Sequence, residues 1–265
     1  MCVRPSSTYR KPVTGELDAG EGLMARWLNE RGYPFEFEPD WGVPTCPDFR
    51  VRHGSNIVAI EVKTIEGQGL FTNVRVGDHG FRPMDKALKP LREKIHAAAR
   101  QLKPLASSGI SLVILLANPH NRPVPFSAEL LISAMYGDPA YQFASTGGTG
   151  STGSTGSTDR MLLDRNGKLT NDHPYISAVA LIREKSNAAA DIETWYAKNR
   201  HDFSSTKKMI AEARRLGLLT GGTTVAVDLI DTVTDTPRVP PMFLNGPDDR
   251  RWAPTADGSG IERVQ

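Results

Sequence analysis

The sequence predicts an α/β protein in which one central mixed β-sheet is flanked by helices. Two short apolar runs, 57–60 and 111–117, have the length and the aliphatic content of buried strands. Segments with apolar residues at helical spacing lie between such runs. Of the 265 residues, 39% are apolar and 23% charged, so a single domain over 1–265 with a sizeable core is expected.

The first element is predicted to be an amphipathic helix from about Leu17 to Arg31, because its apolar residues recur at helical spacing. Asp18 and Glu21 have the spacing of a capping box at the start of this helix. Gly32 stands where a helix commonly ends. The sequence therefore defines both ends of the helix.

Three strands are predicted next. The segment FEFEP (35–39) alternates between apolar and acidic residues and stops at a proline. The segments 48–52 and 57–64 both resemble strands, and the turn-forming residues 53–56 separate them. These two segments are therefore expected to form a hairpin, with the nearly apolar second strand in the middle of the sheet.

Further helices and strands are predicted along the rest of the chain. They are a helix from 86, or after 90, to 102, a strand over 111–117, a helix over 128–135, a strand over 175–183, helices over 191–200 and 206–217, and a strand over 223–233. Residues 145–158 are only Ser, Thr and Gly, which predicts a flexible loop insertion. Residues 235–265 are rich in Pro, Gly and Asp, which predicts an irregular C-terminal tail.

Charge and cysteine content exclude several classes of protein. The net charge is +2, and two cysteines are too few for a disulfide framework or a four-cysteine zinc site. No apolar run approaches the ~20 residues of a membrane-spanning helix, and no secretory signal is recognisable, so a cytoplasmic location is expected. Seven basic residues against two acidic ones lie between positions 82 and 103. They predict a basic helix that is either a solvated surface or a phosphate contact.

Two carboxylates and a lysine form the most specific pattern in the sequence. Asp48 begins one strand of the predicted hairpin, whereas Glu61 and Lys63 share one face near the end of the other. Pairing of the two strands would bring the three side chains together. Carboxylates at this spacing offer hard oxygen ligands to Mg²⁺ or Mn²⁺. A lysine beside them could orient a water molecule or stabilise a phosphoryl transition state.

This pattern resembles the motif of the PD-(D/E)XK nuclease superfamily, whose members share a restriction-endonuclease-like core. Pro47-Asp48, twelve further residues and then Glu61-Val62-Lys63 match the motif. The elements predicted between residues 16 and 117 follow the α-β-β-β-α-β order of that core, and the rest are C-terminal additions. The resemblance implies Mg²⁺-dependent or Mn²⁺-dependent hydrolysis of nucleic acid. It assigns Asp48 and Glu61 as metal ligands and Lys63 as the catalytic lysine.

The resemblance also implies further site residues. Members of the superfamily often add a metal-binding glutamate from the first helix, for which Glu21 is the candidate and Glu16 the alternative. Glu21 could instead only close the capping box with Asp18. A polar or basic residue on the helix after the motif, facing the site, is another feature of the superfamily, and Lys94 and Gln101 are the candidates for it or else surface residues. From the charge pattern, Lys86, Lys89 and Arg92 of the same helix are candidates for binding the nucleic-acid backbone.

The sequence leaves the choice between two functions open. The first is a nuclease of nucleic acid, with DNA favoured over RNA as the substrate, in repair, mobile-element biology or phage defence. The second is a catalytically silent nucleic-acid-binding or assembly module on the same fold, against which the intact motif argues. A homodimer or a partner protein could supply specificity. The six histidines lack metal-ligand spacing and are expected to be loop or packing residues.

Overall fold

The structure, a computed structural model, describes most of the predicted core. The described residues are 17–44, 46–65, 84–120, 126–137, 139–141, 160–163, 172–186, 195, 197–198, 206–216, 223–232, 237–256 and 260–264. Glu16, the Ser/Thr/Gly tract at 145–158 and most of the helix predicted over 191–200 lie outside the described residues.

The helices and strands follow the predicted order in the N-terminal half. The helices are α1 (Ala19–Glu30), α2 (Met84–Leu102), α3 (Ala128–Tyr136) and α4 (Thr206–Arg215). The strands are β1 (Phe35–Phe37), β2 (Phe49–His53), β3 (Asn56–Thr64), β4 (Ser111–Ala117), β5 (Pro139–Tyr141), β6 (Arg160–Leu163), β7 (Ala178–Ser186), β8 (Thr223–Asp231), β9 (Arg250–Pro254) and β10 (Gly260–Arg263). The first six elements therefore have the order α-β-β-β-α-β.

All ten strands described by the structure belong to one sheet, in the order β1-β2-β3-β4-β7-β8-β9-β10-β6-β5. The pairs β3–β4, β4–β7 and β8–β9 are parallel and the other pairs are antiparallel. The predicted α/β class and the mixed sheet flanked by helices are thus confirmed. Of the helices in the described ranges, none is both long and apolar enough to cross a membrane.

Each face of the sheet buries its own apolar cluster. Helix α1 packs on one face, where Trp27 and Leu28 meet Ile60 of β3. Helices α2 and α3 cover the other face, where Leu91 and Ile95 join a cluster that includes Ala59 of β3. Because successive residues of a strand point to opposite faces, Glu61 and Lys63 project on the α2 side of the sheet.

The predicted irregular tail over 235–265 is wrong in part. Two strands lie within it, β9 paired with β8 and β10 paired with β9. Trp252 and Ile261 of these strands are buried against the α2 side of the sheet. The burial of these two side chains offsets the low strand propensity of the surrounding Pro, Gly and Asp residues.

Candidate functional site

The β2–β3 hairpin brings Asp48 next to Glu61, as predicted. Phe49 pairs with Ile60, so the residue before Phe49 lies beside the residue after Ile60. The Asp48 carboxylate is anchored there, because its Oδ2 accepts a hydrogen bond of 2.7 Å from the backbone N–H of Val62. The hairpin therefore fixes the orientation of this carboxylate as well as its position.

Glu61 and Lys63 form an ion pair on the α2 side of β3. The Lys63 Nζ lies 2.5 Å from Glu61 Oε1, and the Glu61 side chain is only 1% exposed. Its second oxygen, Oε2, is buried and has no hydrogen-bond partner among the described residues. An unpaired buried carboxylate oxygen is costly, so this atom is suited to contact a cation or a hydrogen-bond donor.

Burial, together with the negative charge of neighbouring carboxylates, makes both carboxylates poor acids. Burial, reinforced by the charge of Glu61, raises the pKa of Asp48 to about 7, although the Val62 N–H and Lys63 act in the opposite direction. Burial also raises the pKa of Glu61, although the hydrogen bond and charge of Lys63 and a hydrogen bond from the Asp48 backbone oppose the shift. One lysine does not offset two carboxylates in this environment, so the site lacks positive charge.

Glu21 lies at the start of α1 and closes the predicted capping box. Its carboxylate accepts from the Asp18 N–H at 2.8 Å, and Asp18 Oδ1 accepts from the Glu21 N–H at 2.7 Å. The Thr64 hydroxyl donates to Asp18 at 3.0 Å, which ties the start of α1 to the end of β3. A Cβ at Gly20 would collide with Thr64 Oγ1, so only glycine permits this close approach.

Glu21 also shares the electrostatic environment of the hairpin carboxylates. Burial raises its pKa, and the charges of Asp18 and Glu38 add to the shift while Lys63 opposes it. Asp48 in turn feels the charge of Glu21. Glu21 therefore combines the capping role with a place at the edge of the site.

The donor set of the hairpin suits Mg²⁺ or Mn²⁺. Within the described ranges no three His, Cys, Asp or Glu side chains are arranged to hold a metal ion together. Mg²⁺, however, is commonly held by one or two carboxylates, with water and substrate phosphates as its other ligands. The unpaired Oε2 of Glu61 and the neighbouring Asp48 carboxylate match that requirement.

The predicted nucleic-acid-binding residues lie on two sides of α2. Lys86 and Lys89 are exposed, and Lys89 pairs with Glu93 at 3.7 Å. Lys94 and Gln101 are half-buried. Arg92 donates from Nε to the carbonyl oxygen of Ala134 in α3, at 3.2 Å. Helix packing therefore already engages Arg92, whereas Lys86 and Lys89 project into solvent.

Sequence reasoning missed Glu38, which lies beside the site. The Glu38 N–H donates to the Asp48 carbonyl at 2.7 Å, because β1 pairs with β2 and Phe37 lies opposite Phe49. Its φ of 44° is unusual for a residue other than glycine. The signal for it was available in the sequence, because pairing the predicted strand 35–39 with the hairpin would bring the Glu38 carboxylate to the site.

Two other clusters were missed as well. His96 Nδ1 lies 2.8 Å from His173 Nε2, at the seam between α2 and the segment before β7. Asp228 in β8 is almost fully buried and is paired with Arg183 and Arg250. A signal existed only for Asp228, because an aspartate with apolar neighbours on both sides within β8 requires a buried cationic partner.

Comparison with known proteins adds no further assignment. The chain matches no protein-family model, and neither the curated proteins nor the solved structures include a significant match. Function is therefore inferred from the arrangement of the residues described above.

Proposed function

We propose that the protein is a metal-dependent nuclease of the PD-(D/E)XK type that hydrolyses phosphodiester bonds of nucleic acid, with DNA preferred to RNA. The observation that carries the proposal is the buried Glu61 carboxylate. One of its oxygens is paired with Lys63, and the other has no partner among the described residues. The α-β-β-β-α-β order of the first elements is consistent with the restriction-endonuclease-like core.

Asp48 and Glu61 are the residues that would hold Mg²⁺ or Mn²⁺, with Glu21 beside them at the start of α1. When bound, the ion supplies Lewis acidity and positive charge at the phosphoryl group. The protein contributes the geometry of the ligands. The Val62 N–H holds the Asp48 carboxylate, and the sheet interior holds Glu61 where bulk water cannot solvate it.

Lys63 is the catalytic lysine of the proposal. Its side chain is 21% exposed, so it reaches solvent while it contacts Glu61. Three N–H donors at this position can orient an attacking water molecule and stabilise the negative charge that develops on the phosphoryl oxygens. Glu61 keeps the ammonium group in place through the ion pair.

The exposed lysines of α2 are proposed to hold the nucleic-acid backbone. Lys86 and Lys89 project into solvent. Contacts of this kind neutralise phosphates without reading bases, so they give affinity that depends on salt and little sequence specificity. Specificity would then come from a second copy of the chain or from a partner protein.

A catalytically silent nucleic-acid-binding module is the second candidate. The observation that favours it is the Lys63–Glu61 ion pair, because Lys63 is paired with one of the carboxylate oxygens that a metal would otherwise contact. Such a module would bind nucleic acid but would neither require Mg²⁺ nor cleave. The two candidates therefore differ in whether the protein cleaves nucleic acid when a divalent ion is present.

Cleavage of supercoiled plasmid, linear duplex DNA, single-stranded DNA and RNA separates the two candidates. The reactions contain Mg²⁺, Mn²⁺ or EDTA, and the wild type is compared with Asp48→Asn and Lys63→Ala. Lys198→Ala serves as the matched control, because Lys198 is exposed. Thermal melts of every variant establish that each is folded.

The nuclease proposal predicts cleavage that requires a divalent ion and is retained in Lys198→Ala. Loss of one general catalytic or electrostatic group typically slows a reaction by about 100-fold or more, so Asp48→Asn and Lys63→Ala should be nearly inactive. Binding of nucleic acid without cleavage of any substrate in either metal would support the silent module. Cleavage that survives both substitutions would contradict the assignment of the site.

A further inference from the structure

A second charged cluster lies on the same face of the sheet as the candidate site. Asp228 in β8 is 1% exposed and receives four hydrogen bonds from two arginines. Arg183 of β7 donates from Nε and one terminal nitrogen at 3.1 and 3.3 Å. Arg250 of β9 donates in the same manner at 2.7 and 2.6 Å. These three residues are named the arginine cluster.

The arginine cluster carries more positive charge than its buried carboxylate needs. Two guanidinium groups share one carboxylate, and the side chains of Arg183 and Arg250 are 32% and 30% exposed. Within the described residues, neither arginine donates from its Nη1 nitrogen. The hydrogen bond with Asp228 raises the pKa of Arg250, and the charge of Glu129 in α3 adds to this shift.

The neighbouring Asp231–Arg251 pair shows what a purely structural ion pair looks like in this sheet. Both side chains are 8% exposed, and the pair has one arginine for one carboxylate. Arg251 also donates to the carbonyl oxygens of Val239 and Pro240, so hydrogen bonds within the protein already occupy its guanidinium donors. Arg183 also donates to a carbonyl oxygen, that of Asp248. The arginine cluster still differs from this pair, because it has two arginines for one carboxylate and its guanidinium groups are partly exposed.

The register of the sheet relates the arginine cluster to the candidate site. Lys63 pairs with Leu116, Leu116 with Leu181, Leu181 with Asp228, and Asp228 with Arg250. Directly paired residues point to the same face, so Lys63, Asp228 and Arg250 lie on one row on the α2 side. Three to four strand spacings separate them, which is about 14–19 Å.

Arg183 lies at the edge of the sheet where the parallel strands end. Ile182 pairs with Ala117, the last residue of β4, so Arg183 is one residue beyond that strand. Lys63 is one residue before the end of β3. Leu116 and Leu181 are fully buried between the two clusters. A ligand that touches both clusters must therefore follow this edge of the sheet rather than cross its face.

We propose that the arginine cluster is a second phosphate-binding subsite, which holds the backbone of the same nucleic acid that the candidate site cleaves. Guanidinium groups bind phosphate oxygens with paired hydrogen bonds. A separation of about 14–19 Å is several times the ~3.4 Å axial rise per nucleotide of one strand, so a polynucleotide can reach both clusters and a mononucleotide cannot. The inference rests on the proposed function, and it specifies a polynucleotide substrate rather than a mononucleotide.

Binding of fluorescently labelled duplexes, measured by anisotropy in EDTA, tests the subsite without cleavage. The variant is Arg250→Gln, which leaves Arg183 as a single partner for Asp228. Arg215→Gln is the matched control, because Arg215 is 68% exposed and pairs with Glu212 of its own helix, α4. Dissociation constants are measured for duplexes of increasing length and over a range of salt concentrations, and thermal melts verify folding.

We expect Arg250→Gln to weaken binding of long duplexes about tenfold and to lower the salt slope by about one, as loss of one phosphate contact does. The control should bind as the wild type does. Duplexes too short to reach both clusters should bind wild type and Arg250→Gln equally. Equal binding of long duplexes by the two proteins would overturn the subsite.

Asp228→Asn separates a binding role from a structural one. This variant keeps both arginines and removes the negative charge between them, so it should bind duplex at least as tightly as the wild type does, although it is less stable. Weaker binding by the folded variant would contradict the proposal. Mg²⁺-dependent cleavage is assayed in parallel. If the wild type cleaves but Arg250→Gln binds long duplexes as tightly as it does, only this inference is rejected. If binding depends on duplex length and on Arg250 but no substrate is cleaved, only the nuclease proposal is rejected.

Discussion

At the candidate site two carboxylates share one ammonium group, whereas in the arginine cluster two guanidinium groups share one carboxylate. Both clusters lie on one row of the same sheet. Burial raises the pKa of Asp48 to about 7. Burial acts in the same direction on Asp228, but the hydrogen bonds and charges of Arg250 and Arg183 outweigh it and lower the pKa. The local surplus of charge, rather than burial, decides which ligand each cluster can accept.

The first prediction concerns the free energy of unfolding when each buried carboxylate is neutralised. Asp228→Asn should destabilise the protein by about 3 kcal/mol, because it removes the partner of two partly buried cations. Glu61→Gln should leave stability unchanged or raise it by about 1 kcal/mol, because the single positive charge of Lys63 does not balance the buried carboxylates of Glu61 and Asp48. Urea unfolding at pH 8 measures both. Equal destabilisation by the two substitutions would remove the distinction between the clusters.

The second prediction concerns the pH dependence of stability. The pKa of Asp48 is about 7 in the folded protein, against about 4 for an unfolded chain. Between these values the folded state binds a proton that the unfolded state has released, so stability falls as pH rises from about 4 to about 7. Asp48→Asn removes this dependence and should exceed the wild type by about 2–4 kcal/mol at pH 8. Urea unfolding from pH 5 to pH 8 measures the difference.

The exposed Glu262 provides the control for this measurement. Glu262→Gln should retain the slope of the wild type, because Glu262 is exposed in β10, away from the candidate site. A wild-type stability that rises with pH over the same range would contradict the prediction. Asp48 would then be ionised in the folded protein, with its charge balanced by a neighbouring cation.

The third prediction concerns stabilisation by the metal alone. A cation at about ten times its Kd should stabilise the folded state by about 1.4 kcal/mol. Differential scanning calorimetry should therefore show a higher Tm for wild type and for Glu262→Gln in Mg²⁺. The Asp48→Asn and Glu61→Gln variants should show no such increase. A shift of equal size in all four proteins would place the ion elsewhere.

The fourth prediction separates the two roles of Glu21. Glu21→Gln keeps an acceptor for the Asp18 N–H, so the capping box survives and stability should change by less than about 0.5 kcal/mol. Asp18→Ala removes the cap and should cost about 1 kcal/mol. If Glu21 contributes to the metal site, Glu21→Gln lowers the Mg²⁺ affinity measured by calorimetric titration. Unchanged affinity would leave Glu21 as a capping residue only.

The local features of the candidate site could be predicted because they depend on short stretches of sequence. The turn at 53–56 sets the hairpin register, which brings Asp48 to Glu61. Strand alternation puts Glu61 and Lys63 on one face. The capping box of α1 follows from the spacing of Asp18 and Glu21. None of these features needs knowledge of the strand order.

The arginine cluster and the C-terminal strands could not be predicted in this way. Arg183, Asp228 and Arg250 belong to three strands that become neighbours only when β8 inserts between β7 and β9. Strands β9 and β10 form because the sheet offers Trp252 and Ile261 an apolar surface, which local propensity does not reveal. Glu38 was missed for a related reason, because its position depends on the pairing of β1 with β2.

Divalent-ion-dependent cleavage by wild type and by Glu61→Gln tests the nuclease proposal most directly. The substrate is the nucleic acid that the wild type cleaves fastest, and Glu262→Gln is the control, with equal folding established by urea unfolding. We expect the wild type and the control to cleave at similar rates, whereas Glu61→Gln should be slower by at least about 100-fold. Full cleavage by a folded Glu61→Gln variant would contradict the proposal, because the buried carboxylate of Glu61 would then have no catalytic role.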